Sequence, residues 1–383
     1  MRGRKLLIVT DGKAGHENQS KAFCNALGRR YDLLHVAYPT PFKKALSYAA
    51  DRVGVLTESL FTVEAKPRKN MYDAVVCTGS TAFYPGKVLA NRLNVPVCAI
   101  LYPKGFRLNF DCILAPAFDN PPKRPNIVSM PVNLSPTTQE YYRDCVKAFE
   151  QRYTQQKPAV GVIIGGPNPH ATMEVDAMKR QLDRLFELTG AYEHWVTTSR
   201  RTPKEIETLV DGYPFQYKLL YSSDTFNPIP AFVTLCDRLF VTADSTGMIS
   251  EAVTQGKAKV EVIMNLKSSG SKFMRLVKDL ESLKVVHVFD GSLGFASNKI
   301  DLGPAFEEVK RILLPAQYDR QARKGTAAKK KGQVSAVPGA PKPTAKPVVK
   351  PTAKPSPKAG AKPSPKKTAK PRKANTQPGK KVQ

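Results

Sequence analysis

At 383 residues the chain is longer than one core of ~150 residues requires, and 60 Lys or Arg against 32 Asp or Glu give it a formal net charge of +28. No stretch approaches the ~18 apolar residues that span a bilayer, so any membrane association is expected to be peripheral. The six cysteines (Cys24, Cys77, Cys98, Cys112, Cys145 and Cys236) are scattered without a CxxC pair, which excludes a locally encoded zinc site or disulfide framework and fits a reducing compartment.

The N-terminal MRGRKLLIVTDG is basic and then apolar, but the run from Leu6 to Val9 is too short for a signal-peptide core and reads as a first strand. Short β-branched runs then alternate with helical segments, the pattern of parallel sheets built from βαβ units. The first half predicts strands at Lys5–Thr10, Leu33–Tyr38, Ala74–Cys77, Val97–Tyr102, Cys112–Ala115 and Asn126–Met130. An amphipathic helix is expected between Pro136 and Gln156, bridging two domains. The second half predicts strands at Ala159–Gly165, His194–Thr198, Lys218–Tyr221, Arg238–Thr242, Ala258–Met264 and Val285–Phe289. Between them, the helix Ala171–Leu188 carries Met173, Met178, Leu182, Leu185 and Phe186 near one face, which reads as core.

After Pro315 the composition changes to repeats such as TAKP and AKPSPK. Residues 322–383 hold 18 Lys or Arg and no Asp or Glu, leaving +10 for the rest of the chain. This tail cannot bury enough apolar surface to offset its ordering entropy and is expected to be disordered. Its cations suit non-specific nucleic acid or anionic lipid headgroups. The expected organisation is therefore α/β: two Rossmann-like doubly wound domains, 1–150 and 151–315, facing a cleft, and a basic tail, 316–383.

Chemistry is expected at the carboxyl ends of the strands, where doubly wound sheets hold ligands. Directly after the first strand, TDGKAGHENQ contains Asp11, Gly12, Gly15 and Gln19 as candidate substrate contacts. It also contains His16, which can remove a proton from an attacking hydroxyl or merely pack at a helix start. Thr78, Gly79 and Ser80 follow a later strand at the same edge. In the second half, Gly165, Gly166 and Asn168 form a turn that permits close approach of a diphosphate, although a plain loop explains it nearly as well. Thr197 and Arg200 follow another strand, where guanidinium groups could clamp phosphates. Thr242, Asp244, Ser245 and Thr246 make an N-cap cluster that favours a phosphate, with Glu251 placed to accept from ribose hydroxyls.

At the segments TDGKAGHENQ, CTGS, IGGPN and VTADSTGMISEA the chain resembles the elongated-mitochondria family, named for a plant mitochondrial-fission factor and populated mainly by bacterial proteins described as glycosyltransferases. The resemblance covers residues 1–314 and implies the two-Rossmann GT-B architecture. It further implies that a nucleotide-sugar binds the C-terminal domain with its ribose at Glu251. His16 would be the base for a cell-envelope saccharide, such as a lipopolysaccharide sugar, or for a lipid-linked acceptor. No metal and no cofactor beyond the donor is called for, and the expected location is cytoplasmic, with peripheral contact at the inner face of an inner membrane. The tail departs from the family and resembles linker-histone tails. A non-catalytic scaffold or membrane-surface role is the alternative, since fold alone does not fix chemistry.

Overall fold

The computed structural model describes residues 4–135 and 138–315. The basic tail, with its expected disorder and its expected nucleic-acid and lipid contacts, lies outside the described residues.

The first sheet contains β1 (Lys5–Thr10), β2 (Tyr31–Ala37), β3 (Thr62–Val63), β4 (Tyr72–Thr78), β5 (Val97–Ile100), β6 (Cys112–Pro116) and β7 (Ile127–Met130), in the order β3-β2-β1-β4-β5-β6-β7. All pairs are parallel except β3, which runs antiparallel to the end of β2. Helices α1 (Ala14–Ala26), α2 (Pro41–Val53) and α3 (Phe83–Leu93) connect the strands. Strand β1 is apolar from Leu6 to Val9 because both of its faces are covered there. Leu6 and Ile8 join Phe23 of α1 in one layer, while Leu7 and Val9 join Tyr84 and Leu89 of α3 in the other.

Thr138 caps α4 (Gln139–Glu150), the expected bridging helix, which is shorter than its sequence pattern suggested. The second sheet follows, with β8 (Ala159–Ile163), β9 (Glu193–Thr197), β10 (Tyr217–Leu219), β11 (Arg238–Thr242), β12 (Lys259–Ile263) and β13 (Val286–Val288). Its order is β10-β9-β8-β11-β12-β13, and every pair is parallel. Connecting helices are α5 (Val175–Leu188), α6 (Lys204–Asp211), α7 (Ile229–Leu235), α8 (Thr246–Thr254) and α9 (Lys272–Ser282), with α10 (Gly303–Leu313) last. Met178, Leu182 and Leu185 of α5 are buried in the core.

Two helices tie the halves together. Phe149 of α4 packs among Trp195, Tyr217 and Phe232, with ring centroids 5.0, 4.7 and 5.9 Å away. Helix α10 returns to the first sheet, where it packs on β6 and β7 and sets Phe306 at 6.2 Å from Phe23. The architecture is thus the expected α/β pair of doubly wound sheets, with the final helix of the second half covering the first.

In both sheets the strand order reverses at one point, between β1 and β4 and between β8 and β11. Such reversals open a crevice at the carboxyl ends of the strands. The turns TDGKAGH and TGS flank the first reversal, and GGPN and ADST flank the second. No described helix is long and apolar enough to cross a membrane.

Candidate functional site

At the first reversal, β1 ends on Thr10, whose hydroxyl accepts from the Gly12 amide at 3.1 Å. Gly12 lies at φ +76°, a left-handed conformation that a side chain would strain. The turn brings Asp11 beneath the start of α1, where its Oδ1 meets Nδ1 of His16 at 2.9 Å and its Oδ2 accepts from Nζ of Lys13 at 2.8 Å. Burial alone would raise the Asp11 carboxyl, but hydrogen bonds from Lys13 and His16 and their charges outweigh it and hold the group at about 2. A carboxylate has no proton to give, so Nδ1–H of His16 donates to Asp11, and the neutral form of the ring has Nε2 left to accept.

The imidazole rests on the turn after β4. A Cβ at Gly79, which also lies at φ +85°, would stand 2.3 Å from Cε1 of His16. Glycine at this position is therefore required by the histidine. Thr78 is buried and shares a 2.7 Å hydrogen bond with Ser20 of α1, which fixes the helix to β4. Thr81 accepts from Nζ of Lys44 at 3.2 Å, and Ser80 is half-buried between them. Oε1 of Gln19 is buried with no hydrogen-bond partner among the described residues. At Gly15 a Cβ would meet nothing within 4 Å, so the packing leaves this backbone open to a ligand.

The second reversal is organised around Asp244, whose side chain is fully buried. Its carboxylate accepts from the Gly166 amide (3.0 Å), the Thr242 hydroxyl (2.6 Å), Nη2 of Arg201 (2.8 Å) and Nδ2 of Asn265 (3.3 Å). The Thr242 hydroxyl accepts in turn from the Gly165 amide at 2.8 Å, and Nδ2 of Asn168 donates to the Asp244 carbonyl at 2.9 Å. A Cβ on Gly165 would lie 2.1 Å from the Asp244 carboxylate, and one on Gly166 would lie 2.1 Å from the Arg201 carbonyl. The glycine pair is thus demanded by the loop's own packing, without recourse to a diphosphate. Thr197 is buried, with its hydroxyl turned to the Thr198 carbonyl. Arg200 is exposed and pairs with nothing among the described residues, whereas its neighbour Arg201 holds Asp244.

Beyond this buried knot, α8 starts in the open. Ser245 caps it by accepting from the Met248 amide, and Gly247 is exposed, with the nearest atom to a built Cβ at 3.9 Å. The first amides of a helix lack intrahelical partners and carry partial positive charge, which suits an anion. The edges of the two sheets meet beside this turn. Asn133, just after β7, donates its amide N–H to Ser250 (3.0 Å) and Nδ2 to Thr246 (2.9 Å), and Nε of Arg275 donates to the Phe118 carbonyl after β6 (3.0 Å).

Glu251, one and a half turns into α8, accepts from the Tyr142 hydroxyl of α4 at 3.2 Å. Burial pushes its carboxyl up to about 7, against the lowering effect of that hydrogen bond. Because the folded value lies above the ordinary 4.5, the folded state holds an extra proton between about pH 4.5 and 7, and stability falls as pH rises through that window. Glu251→Gln is expected to be near neutral at pH 5 and stabilising by ~1–3 kcal/mol at pH 8, after allowance for partial solvent screening. Melting curves of both proteins across this range check it, and equal differences at the two pH values would contradict it.

Two groups in this region escaped sequence reading. Tyr142 lies 109 residues from Glu251, and no local pattern joins them. His35 at the neighbouring strand end bonds Glu17 (3.2 Å) and Glu64 (3.0 Å), partners that lie 18 and 29 residues away.

No curated protein matches the sequence. Among solved structures, MurG of Acinetobacter baumannii is 14% identical, with a TM-score of 0.41 over 77% of this chain and 88% of that one. A UDP-GlcNAc 2-epimerase from Methanocaldococcus jannaschii is 14% identical, with a TM-score of 0.47 over 81% and 98%. The ADP-heptose lps heptosyltransferase II of E. coli is 9% identical, with a TM-score of 0.39 over 82% and 99%. A family model described as mitochondrial fission ELM1 matches residues 14–312, a span that begins at α1, just after β1 and its turn, contains the whole second sheet and reaches into α10, and the chain belongs to that family.

Proposed function

We propose that the protein transfers a sugar from a nucleotide-sugar donor to a cell-envelope saccharide or lipid-linked acceptor. The observation that carries this reading is the Asp11–His16 pair, seated on Gly79 at the carboxyl edge of one sheet, an edge whose last strand leads to Asn133 against the open N-terminus of α8.

In this reading the donor diphosphate lies on the first amides of α8, near Ser245, Thr246 and Gly247, and the ribose lies toward Glu251. Nε2 of His16 takes the proton of the acceptor hydroxyl as its oxygen attacks the anomeric carbon. The bond from that carbon to the diphosphate breaks, and the nucleoside diphosphate leaves with the electron pair, its charge met by the helix terminus. Asp11 holds the imidazole in the accepting tautomer and stabilises the imidazolium that forms.

Thermal melting with a panel of nucleotide-sugars tests the donor site. A donor at ~100 times its Kd adds ~2.7 kcal/mol, a rise of roughly 4–9 °C for a melting unit of about 150–310 residues. A second reading, a non-catalytic scaffold, is favoured by the way Asp244, Thr242, Asn168 and the Gly165–Gly166 turn satisfy one another internally. A panel with no melting shift and no donor hydrolysis would leave the scaffold standing.

A further inference from the structure

Helix α2 turns polar side chains inward beside Tyr48, which stacks on Phe106 at 4.2 Å, and leaves an apolar stripe outside. The buried residues are Ser47 and Asp51, both polar. The Asp51 carboxylate accepts from Nζ of Lys87 (2.7 Å) and the Arg107 amide (2.6 Å), and Ser47 accepts from the Tyr38 hydroxyl (3.1 Å). Both side chains of the Asp51–Lys87 pair are buried, so any rotation of the helix would strand a charge in the interior. The rotation is thereby fixed, and it leaves Phe42, Ala45, Leu46, Ala49 and Val53 in one stripe on the outside. Phe42 is 73%, Leu46 41% and Val53 76% exposed, and the chain continues beyond the helix with exposed Val55 and Leu56.

A continuous apolar stripe on the surface marks a place of contact. Its charged neighbours are cations. Lys43, Lys44 and Arg52 lie on α2 itself, and Nη1 of Arg107 lies against Gly54 at the helix end. The helix's one acid, Asp51, is buried, and Glu58 just beyond it is paired with Arg92. Apolar residues flanked by Lys and Arg, with no free acid among them, match the boundary between acyl chains and anionic headgroups.

We propose that α2 docks the protein on an anionic lipid bilayer, with Phe42, Leu46 and Val53 at the acyl boundary and the surrounding Lys and Arg among the phosphates. The position of the helix gives the docking a use. Through Lys44, its first turn is hydrogen-bonded to Thr81, in the turn whose Gly79 carries the His16 ring. A bilayer held by this stripe lies beside that edge of the sheet. Where sugar transfer is also accepted, the docking selects a lipid-linked acceptor over a free saccharide.

The test uses the full-length protein and does not depend on turnover. The native chain has one tryptophan, Trp195, which is fully buried, so a second one reports its own surroundings. Vesicles of roughly three parts phosphatidylcholine to one part phosphatidylglycerol supply the anionic surface. With these vesicles, Leu46→Trp is expected to shift its emission to the blue and to be quenched by brominated acyl chains. Phe295→Trp, at a site 89% exposed elsewhere on the surface, is expected to do neither. In flotation at a salt concentration that screens the cations of the tail, the double variant Phe42→Asp/Leu46→Asp is expected to lose about tenfold or more in partitioning. Quenching by Leu46→Trp serves as the readout that needs no charge placed on the helix. The proposal falls if the Leu46→Trp protein floats without being quenched, since another surface then binds. It also falls if the double variant floats like the native protein, or if its only change is the loss of self-association in sedimentation.

Discussion

His16→Ala is expected to lower turnover by about 10²- to 10⁴-fold while leaving donor binding unchanged, because a positioned general base contributes on that scale. The separation of effects follows from the fold. His16 stands at the start of α1 on the first sheet, whereas the open helix terminus of α8 belongs to the second. Asp11→Asn is expected to lose much of the same factor, since the amide can turn an N–H toward Nδ1 and select the tautomer whose Nε2 cannot accept. The Asp11 carboxyl is held at about 2, so it stays ionised throughout the neutral range and does not shape the pH profile there. Gly79→Ala offers a third arm. The added methyl would stand 2.3 Å from Cε1, 2.6 Å from Nδ1 and 2.9 Å from Nε2, so it displaces the ring without altering its chemistry, and the melting temperature separates misplacement of the ring from failure to fold. Single-turnover assays with each variant at saturating donor provide the measurement. Full activity in His16→Ala would remove the proposed base and with it the transfer mechanism.

Asp244→Ala is expected to cost ~3–5 kcal/mol of stability, because it leaves the buried Gly166 amide and Thr242 hydroxyl and the Asn265 amide without their acceptor and removes the ion pair to the part-exposed Arg201. Thr242→Val keeps the shape but removes the hydroxyl between the Gly165 amide and Asp244, at an expected ~1–3 kcal/mol. The two residues share partners, so a double-mutant cycle should give less than the sum. Chemical denaturation with a common slope measures these differences. A loss below about 1 kcal/mol in Asp244→Ala would show that the carboxylate is not the hub of the knot.

Legibility in the sequence follows how far apart the interacting residues lie along the chain. Strand–turn–helix alternation is local, so both sheets and all four turns at the strand-order reversals could be read directly. Strand β3 escaped because it is two residues pairing antiparallel at an edge, too short for a period to register. The strand expected to run to Tyr102 stops at Ile100, because Leu101 takes φ +73° and leaves the extended conformation. In the site, Asp11 and His16 are five residues apart and were visible as one motif. Asp244 read as a phosphate cap because its partners lie elsewhere: Arg201 is 43 residues away and Gly166 is 78. Helix α2 gives the clearest case of the limit. Nothing local marks which face of this helix is buried: its Asp51 meets Lys87, 36 residues away, and that pair helps to turn the stripe of Phe42 and Leu46 outward.

The return of α10 to the first sheet sets a schedule for biosynthesis. Strand β7, the last of that sheet, ends at Met130, yet the layer containing Phe23 is not covered until Gly303–Leu313 has been made. At roughly 5–20 residues per second, the nascent chain carries that uncovered apolar layer for about 10–35 s. The first sheet can assemble early, but its final packing waits for α10, and through that interval the growing chain exposes apolar surface of the kind that chaperones shield.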